Sequence, residues 1–309
     1  GKEGAFLENL AIAQAVRNCG GTVIVQVERV VKTGSLKAKE IKIPGILVDY
    51  VVMDPDQTQT CVTKYNPGYS GEYKVPEASL SPMQLSHRKV IARRAALELA
   101  PGCVNNLGVG MADGVAHVAA EEGIYNQLDF VIEQGLIGGI PAPGVEFGAA
   151  LNPDAMIDAP SQFDFFDGGG IDIAFLGMAQ IDRNGNVNVS KFGSRIAGCG
   201  GFINISQNAK KVVFCGTLTS AGLRTKISQG KIEIVQEGKF KKFVNAVDQV
   251  TFSGKNALSD QREVLVVTER AVFRLTDRGL QLIEIAPGIE LQREVVDVID
   301  RKSVVEGKS

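Results

Sequence analysis

The stretch of sequence that most strongly indicates the fold is residues 130–139, which read FVIEQGLIGG. Phe130, Val131 and Ile132 are typical of the end of a buried strand, and the glycines after them force a tight turn. In an open α/β sheet, ligands bind at the carboxyl ends of the strands. Glu133 therefore lies where a reactive carboxylate is expected, although a Glu before a glycine is often only the cap of a surface turn.

Length and composition describe a folded chain with no nucleic-acid or membrane partner. The 309 residues are enough for roughly two ordinary domains. A net charge of −2, with both signs interspersed, argues against a nucleic acid or an anionic membrane as the main partner. No apolar run approaches the roughly 18 residues of a membrane span. The first residues show no charged-then-apolar pattern, so we do not expect a secreted protein.

Histidines and cysteines are used in a way that predicts no metal site. His87 and His117 are too few for an imidazole-rich centre, and the five cysteines show no metal-ligand spacing. An odd, scattered set of cysteines is typical of reduced thiols in a cytoplasmic protein. We interpret His117, which lies in an alanine-rich helical pattern, as a packed or half-exposed helix residue.

Residues 1–76 predict a partial α/β domain that ends in a linker. A helical pattern covers residues 7–16, and valine-rich strand patterns lie within 22–31 and 41–52. The polar composition of residues 55–76 is that of a linker. Because two strands and one helix make a poor core, we expect an unpaired sheet edge or apolar face, association or poor solubility, and less activity than a longer chain would have.

Residues 77–300 predict a second domain in which buried strands alternate with helices. This alternation indicates the α/β class, with an open, mostly parallel sheet that has helices on both faces. Antiparallel additions are expected over 232–247 and 271–285, and a hairpin around Asp182–Asn186. The predicted strands and helices are strands at 103–107, 128–132, 171–176, 211–215 and 263–267, and helices at 81–99 and 111–122.

Three glycine-rich loops are candidates for the close approach of a ligand. Asn106-Leu107-Gly108-Val109-Gly110 follows a predicted strand, so its N–H groups could receive an anion. A plain tight turn explains it at least as well, because the dinucleotide fingerprint is incomplete. We interpret the loop at 168–170 as a structural turn. The loop at 197–202 contains Cys199, a weaker candidate nucleophile because no histidine lies near it in the sequence.

Four of these segments, in this order, carry a family resemblance. The succession of residues 106–111, 132–135, 184–188 and 198–202 closely resembles the family I coenzyme A transferases, and among them the fused-chain acetate, acetoacetate or propionate CoA-transferases of bacteria. The likeness covers residues 9–300 and is most complete in the second, β-type half.

The resemblance implies an activity and the residues that perform it. It implies transfer of CoA between a short-chain acyl-CoA and a free carboxylic acid such as acetate, through a glutamyl-CoA thioester at Glu133. It implies that Asn106, Leu107, Gly108, Val109 and Gly110 help to bind CoA, and that Gly200 and Gly201 supply backbone donors to the reacting carbonyl oxygen. CoA is then a co-substrate, no cofactor is permanently bound, and the enzyme is expected to be a homo-oligomer.

The chemistry agrees with a chain that has almost no histidine. CoA leaves a thioester as a thiolate, so a carboxylate nucleophile needs no adjacent base. The main catalytic requirement is a set of preorganised N–H donors for the charge that develops on the carbonyl oxygen. Two alternatives stay open: an acyl-CoA hydrolase, and a non-catalytic module that binds CoA or a metabolite on the same fold.

Two segments depart from the family pattern. Only the last part of the first, α-type half is recognisable, up to about Tyr73. Residues 301–309 do not continue the pattern, and we expect them to be a non-native tail.

Overall fold

The computed structural model describes residues 2–76, 82–300 and 304. Its α-helices are α1 (Asn9–Asn18), α2 (Pro67–Ser70), α3 (His87–Ala96), α4 (Gly114–Glu121), α5 (Ala159–Asp167), α6 (Phe202–Asn208) and α7 (Gly254–Ser259). Its strands are β1 (Ile24–Val27), β2 (Tyr50–Met53), β3 (Val104–Leu107), β4 (Asp129–Ile132), β5 (Leu136–Ile137), β6 (Ile140–Pro141), β7 (Ala150–Leu151), β8 (Ala155–Met156), β9 (Ile173–Gly177), β10 (Gln180–Ile181), β11 (Val187–Asn188), β12 (Lys191–Phe192), β13 (Arg195–Ile196), β14 (Lys211–Cys215), β15 (Thr219–Ser220), β16 (Arg224–Ser228), β17 (Lys231–Gln236), β18 (Phe240–Lys241), β19 (Glu263–Val267), β20 (Ala271–Thr276) and β21 (Gly279–Ile285).

The chain forms two compact units, and neither unit is one continuous segment. The first unit comprises residues 1–80 and 130–165, and the second comprises residues 81–129 and 166–309. The segment that contains Glu133 therefore belongs to the same unit as the beginning of the chain. The division near residue 76 stays a prediction about the two halves of the family.

The second unit is built on a mixed sheet whose central strands are parallel. Its strands lie in the order β21-β20-β19-β14-β9-β3. Strands β3, β9, β14 and β19 are parallel neighbours, while β20 and β21 are added in antiparallel fashion. The predicted antiparallel addition over 271–285 is thereby confirmed. Its turn contains Asp277 and Arg278, where the sequence places the reversal.

Both faces of this sheet are buried, as a parallel sheet requires. Val212, Val213, Phe214 and Cys215 follow one another in β14, and each is at most 1% exposed. Successive side chains of a strand point to opposite faces, so cover is needed on both. Helix α3 contacts β14 and β19, α6 contacts β9, and α7 contacts β19 and β20. The predicted α/β class is confirmed.

Two predicted helices of the second unit are longer than the observed ones. Helix α3 begins at His87 because Ser86 is fully extended (φ −157°), and residue 81, where we predicted the start, lies outside the described residues. Helix α4 begins at Gly114 rather than Met111. Residues 111–113 form a turn instead, and Gly110 before them has φ +98°, outside the right-handed helical region. His117 lies half-buried in α4, as predicted.

The first unit contains a small parallel sheet of two strands. Strand β1 pairs with β2 in the register Ile24↔Tyr50 to Val27↔Met53. The observed strand β1 is shorter than the strand predicted over 22–31, because only four residues of β2 pair with it. All four side chains of β2 are exposed, which agrees with the unpaired apolar face predicted for this part of the chain.

The remainder of the first unit consists of short antiparallel pairs. Strand β5 pairs with both β4 and β8, and β6 pairs with β7. Two small hydrophobic clusters stabilise these pairs. One consists of Tyr69, Ala142, Ala149 and Leu151 with Val75 against it, and the other of Ile132, Leu136 and Ala150 with Phe147 and Met156 against it.

A cavity of about 950 Å³ lies within the first unit. Residues of α1, β1 and the segments 36–43 and 156–161 line it, and most of them are apolar. Glu133 does not line this cavity. In the part of the chain that the structure describes, no helix is long and apolar enough to cross a membrane.

Candidate active site

Glu133 directly follows β4, and three glycines shape the backbone after it. Gly135, Gly138 and Gly139 have φ angles of +98°, +70° and +73°, in the left-handed region that favours glycine. The Gly135 N–H donates to the Ile132 carbonyl oxygen at 3.0 Å, and the Gly138 N–H donates to the Phe130 carbonyl oxygen at 2.8 Å. The tight turn predicted from the sequence is thus present, and it reverses the chain into β5.

Two of these glycines are also required by their surroundings. A Cβ atom on Gly135 would lie 2.0 Å from the carbonyl oxygen of Ile157, and one on Gly139 would lie 2.7 Å from the carbonyl oxygen of Leu151. The Ile157 N–H in turn donates to the Gly135 carbonyl oxygen at 2.9 Å. The turn therefore holds Glu133 on a backbone that few other sequences could adopt.

Glu133 is a half-buried carboxylate without a cationic partner. Burial, and to a smaller extent the negative charge of Glu8, raise the pKa of its carboxyl above the usual 4.5. Within the described residues, no lysine, arginine or histidine forms an ion pair with it. Its oxygens are thus not engaged by a salt bridge, and the group is more basic than an exposed Glu.

Sequence reasoning missed two neighbours of Glu133. Glu8 precedes α1 and is distant in sequence, so no local pattern linked its charge to Glu133. Gln134 lies next to Glu133, and its Oε1 is buried without a hydrogen-bond partner in the described structure. Its side chain packs beside Gly148, where a Cβ atom would lie 3.2 Å from the Gln134 Cδ. The signal for Gln134 was available, because it occupies the middle of the Glu-x-Gly element.

The segment Asn106–Gly110 belongs to the second unit and begins with the last two residues of β3. Asn106 and Leu107 are buried, whereas Val109 is well exposed. The Gly108 N–H donates to the Phe175 carbonyl oxygen at 2.8 Å. A Cβ atom on Gly108 would lie 3.0 Å from a methyl carbon of Leu176, which leaves little room for a side chain there.

Gly110 is bound by residues that the sequence analysis did not single out. The Arg88 guanidinium donates to the Gly110 carbonyl oxygen at 2.8 Å and to the Asp113 carboxylate at 3.1 Å. The Gly110 N–H also interacts with the Asp113 carboxylate and favours its ionised form. Arg88 lies far from this loop in the sequence, so only the folded chain reveals the contact.

Gly200 and Gly201 lie in the second unit, immediately before α6. Gly200 has φ +51° and open space where a side chain would be, and Gly201 caps the helix. The Gly201 carbonyl oxygen accepts from the Ile205 N–H at 3.0 Å. Among the described residues, the N–H groups of both glycines donate no hydrogen bond to another residue. They can therefore act as donors to a ligand.

The cysteines differ in how well they could serve as nucleophiles. All five are free, and Cys199 is half-exposed beside Gly200. Cys215 is fully buried, and burial raises the pKa of its thiol to about 12, so it is inert at neutral pH. Within the residues that the structure describes, no group of three or more His, Cys, Asp or Glu side chains could hold a metal ion.

The candidate residues are thus distributed over both compact units. Asn106–Gly110, Gly200 and Gly201 lie in the second unit, and Glu133 lies in the first. The first unit contains a carboxylate on a glycine turn, and the second contains the available backbone donors of Gly200 and Gly201.

Comparison with known proteins supports the resemblance seen in the motifs. No family model matches the chain. The acetate CoA-transferase YdiF of Escherichia coli K12 is 48% identical over 301 residues, covering 97% of this chain and 57% of that protein. The acetate CoA-transferase subunit beta of Escherichia coli K12 is 30% identical over 211 residues, covering 65% of this chain and 86% of that subunit.

A solved structure is similar over nearly the whole chain. It is the acyl-CoA transferase YdiF of Escherichia coli O157:H7 in a thioester complex with CoA, with a TM-score of 0.87 and 45% identity. The match covers 99% of this chain and 58% of that one. The chain belongs to the family I coenzyme A transferases, and it spans little more than half the length of YdiF.

Proposed function

We propose that this chain carries the nucleophile of an enzyme that transfers CoA between a short-chain acyl-CoA and a free carboxylic acid such as acetate. The observation that carries the proposal is Glu133, a half-buried carboxylate with a raised pKa, no ion pair and a glycine turn behind it. A more basic carboxylate is the better nucleophile once it is ionised. The acetate CoA-transferases among the relatives support this chemistry.

The first step is attack by Glu133 on the acyl-CoA. A carboxylate oxygen forms a bond to the thioester carbonyl carbon, and the carbon–sulfur bond then breaks. CoA leaves as a thiolate, so no proton has to be supplied. The product is a mixed anhydride between Glu133 and the acyl group.

The second step places CoA on the enzyme. The thiolate attacks the glutamyl carbonyl carbon of the anhydride, and the bond to the acyl carboxylate breaks. The first acid leaves as its carboxylate, and a glutamyl-CoA thioester remains at Glu133. A second carboxylate then reverses both steps and leaves as its own CoA ester.

Backbone N–H groups stabilise the negative charge that develops on the carbonyl oxygen. We assign this role to Gly200 and Gly201, whose N–H groups form no other hydrogen bond in the described structure. One preorganised donor of this kind contributes about 10² to 10³ in rate. We assign Asn106–Gly110 to CoA binding, through which the remote parts of CoA contribute to reaction at the carbonyl.

Intact mass spectrometry tests the role of Glu133. Incubation with acetyl-CoA and no acceptor acid should raise the mass of the protein by one CoA less one water. Peptide mapping should place this adduct at Glu133, and borohydride should reduce it. Glu133→Gln should form no adduct, and Glu133→Asp should react about 10²-fold more slowly because its carboxylate is displaced by one methylene.

A matched variant separates the two candidate nucleophiles. Cys199→Ser should keep the CoA adduct, since a thiol would instead take up the acyl group. An acetyl-sized mass increase that Cys199→Ser removes would contradict the proposal. Rapid release of free CoA without an acceptor acid would indicate the hydrolase alternative.

The substrates, assembly and location follow from the same proposal. We propose acyl-CoA and short-chain carboxylates as the substrates, CoA as co-substrate, and a homo-oligomeric enzyme. The relative named as a subunit supports an oligomeric assembly. Five free cysteines support a reducing, cytoplasmic location.

A further inference from the structure

The loop assigned to CoA binding ends in a residue whose conformation has to be held in place. Gly110 adopts φ +98°, and a Cβ atom there would meet open space. Steric packing therefore does not select this conformation, and glycine can adopt many others. Ordering such a residue costs conformational entropy. An unrestrained loop would bear that cost each time a ligand bound.

A salt bridge between two helices supplies the restraint. Arg88 lies in the first turn of α3, and Asp113 directly precedes α4. Their side chains form an ion pair at 3.1 Å, with Arg88 45% exposed and Asp113 6% exposed. Because Arg88 also donates to the Gly110 carbonyl oxygen at 2.8 Å, the pair holds the end of the loop in place.

Contacts other than the Arg88–Asp113 ion pair also hold α3 against α4. Lys89 forms a largely buried ion pair with Glu121 at 2.6 Å. Ala92 of α3 lies against Gly114 of α4, where a Cβ atom would be 3.0 Å away. The Arg88–Asp113 pair is therefore one of several contacts between the two helices, and what sets it apart is the additional hydrogen bond from Arg88 to Gly110.

We propose that Arg88 and Asp113 are positioning residues that preorganise the loop Asn106–Gly110 for coenzyme A. This inference rests on the proposed function, because it assumes that the loop binds CoA. Because Gly110 is held in one conformation before the ligand arrives, its ordering cost falls on folding rather than on binding. Neither residue needs to touch the reacting atoms.

Steady-state kinetics of Arg88→Gln and Asp113→Asn test the proposal. We expect KM for the acyl-CoA to rise about tenfold in each variant, since each loses a charge-assisted hydrogen bond. We expect kcat to stay within about twofold and KM for the carboxylate acceptor to be unchanged. The double variant should be no worse than either single variant, because the pair acts as one unit. Arg88→Lys, which keeps the charge, should restore part of the loss.

Arg93→Gln is the matched control. Arg93 lies on the same helix and pairs with Glu122 at 2.8 Å, and among the described residues it forms no hydrogen bond or ion pair with the loop. Its KM for acyl-CoA should equal that of the parent. Two results would overturn the inference. One is an unchanged KM for acyl-CoA in Arg88→Gln, and the other is an equal fall in kcat/KM for acyl-CoA and for the carboxylate acceptor.

The same measurements distinguish this inference from the proposed function. If the parent protein forms the CoA adduct at Glu133 and Arg88→Gln leaves KM unchanged, only the positioning role is wrong. If the parent forms no adduct and does not bind CoA, the proposed function itself is wrong. Saturating acyl-CoA should give the full adduct in both positioning variants.

Discussion

Two carboxylates of the first unit have pKa values that are shifted in opposite directions. Burial, reinforced by Glu8, raises the pKa of Glu133. Hydrogen bonds from the Thr60 and Thr63 side chains and from the Thr63 backbone lower the pKa of Glu146, against a small effect of burial. The first shift favours the protonated carboxyl in the folded state, and the second favours the carboxylate. The two residues therefore make opposite contributions to stability as the pH changes.

We expect Glu133→Gln to be more stable than the parent at neutral pH. The folded pKa of Glu133 lies above the unfolded value near 4.5, so ionisation destabilises the parent increasingly as the pH rises through this range. Glutamine does not ionise and avoids this effect. Urea unfolding at several pH values between about 4 and 8 should show the stability difference growing with pH.

Glu146→Gln is the control with the opposite sign. Its folded pKa lies below the unfolded value, so its stabilisation is present above pH 4.5 and is lost as the pH falls through the folded pKa. This variant should be less stable than the parent at neutral pH and similar to it in acid. A Glu133→Gln variant that is destabilised at pH 7 would show that the carboxylate is not strained by burial.

At the scale of elements, the connection between β19 and β20 contains a buried network of charges. Glu269 and Arg270 are both fully buried, and the Arg270 Nε donates to the Glu269 carboxylate at 2.6 Å. Arg270 also donates to both carboxylate oxygens of Glu237, at 2.8 and 3.0 Å. The second oxygen of Glu269 accepts from the Leu218 N–H at 2.9 Å. One guanidinium therefore serves two carboxylates on separate segments of the second unit.

We expect Arg270→Leu to destabilise the protein by about 3–5 kcal/mol, because it leaves the Glu269 carboxylate buried without its partner. Arg274→Leu is the matched control. Arg274 lies in β20, is half exposed, and approaches Glu263 only to 3.5 Å. Its loss should cost less than about 1 kcal/mol. Denaturant midpoints measure both changes, and equal costs for the two variants would contradict the importance assigned to the buried network.

At the scale of the whole chain, one exposed apolar surface stands out. Tyr50, Val51, Val52 and Met53 are consecutive in β2, and each is 49–63% exposed. Ile24 of the paired strand β1 is also exposed. Contiguous apolar surface of this kind marks an interaction site or a tendency to aggregate, whereas single exposed apolar residues are ordinary.

We expect the 309-residue protein to associate in a concentration-dependent manner through this strand pair. Val51→Lys should weaken the association, because a charge on a strand edge opposes edge-to-edge pairing. Val235→Lys is the control, since Val235 is equally exposed (51%) but lies on β17 of the second unit. Sedimentation velocity over a range of concentrations measures the effect. A monomeric parent protein at all concentrations would contradict this prediction.

Local sequence patterns were sufficient for the central elements of the fold. Strands β14 and β19 have the predicted boundaries, because an uninterrupted apolar run can be satisfied only where both faces of a strand are buried. The hairpin at Asp182 forms as predicted, since its carboxylate accepts from the Asn184 and Asn186 N–H groups. The glycine turn after Glu133 also forms as predicted, because its φ angles lie in the region that favours glycine.

The sequence by itself determined the α/β alternation, the turn that holds Glu133 and the glycine loops. Each of these features depends on residues that are adjacent in the chain. Only the tertiary structure decided that residues 130–165 form a unit with residues 1–80, that Glu8 raises the pKa of Glu133, and that Arg88 holds Gly110. The physical reason is that charge and hydrogen bonding act through space. Residues distant in the chain leave no periodic signal of their contact until folding brings them together.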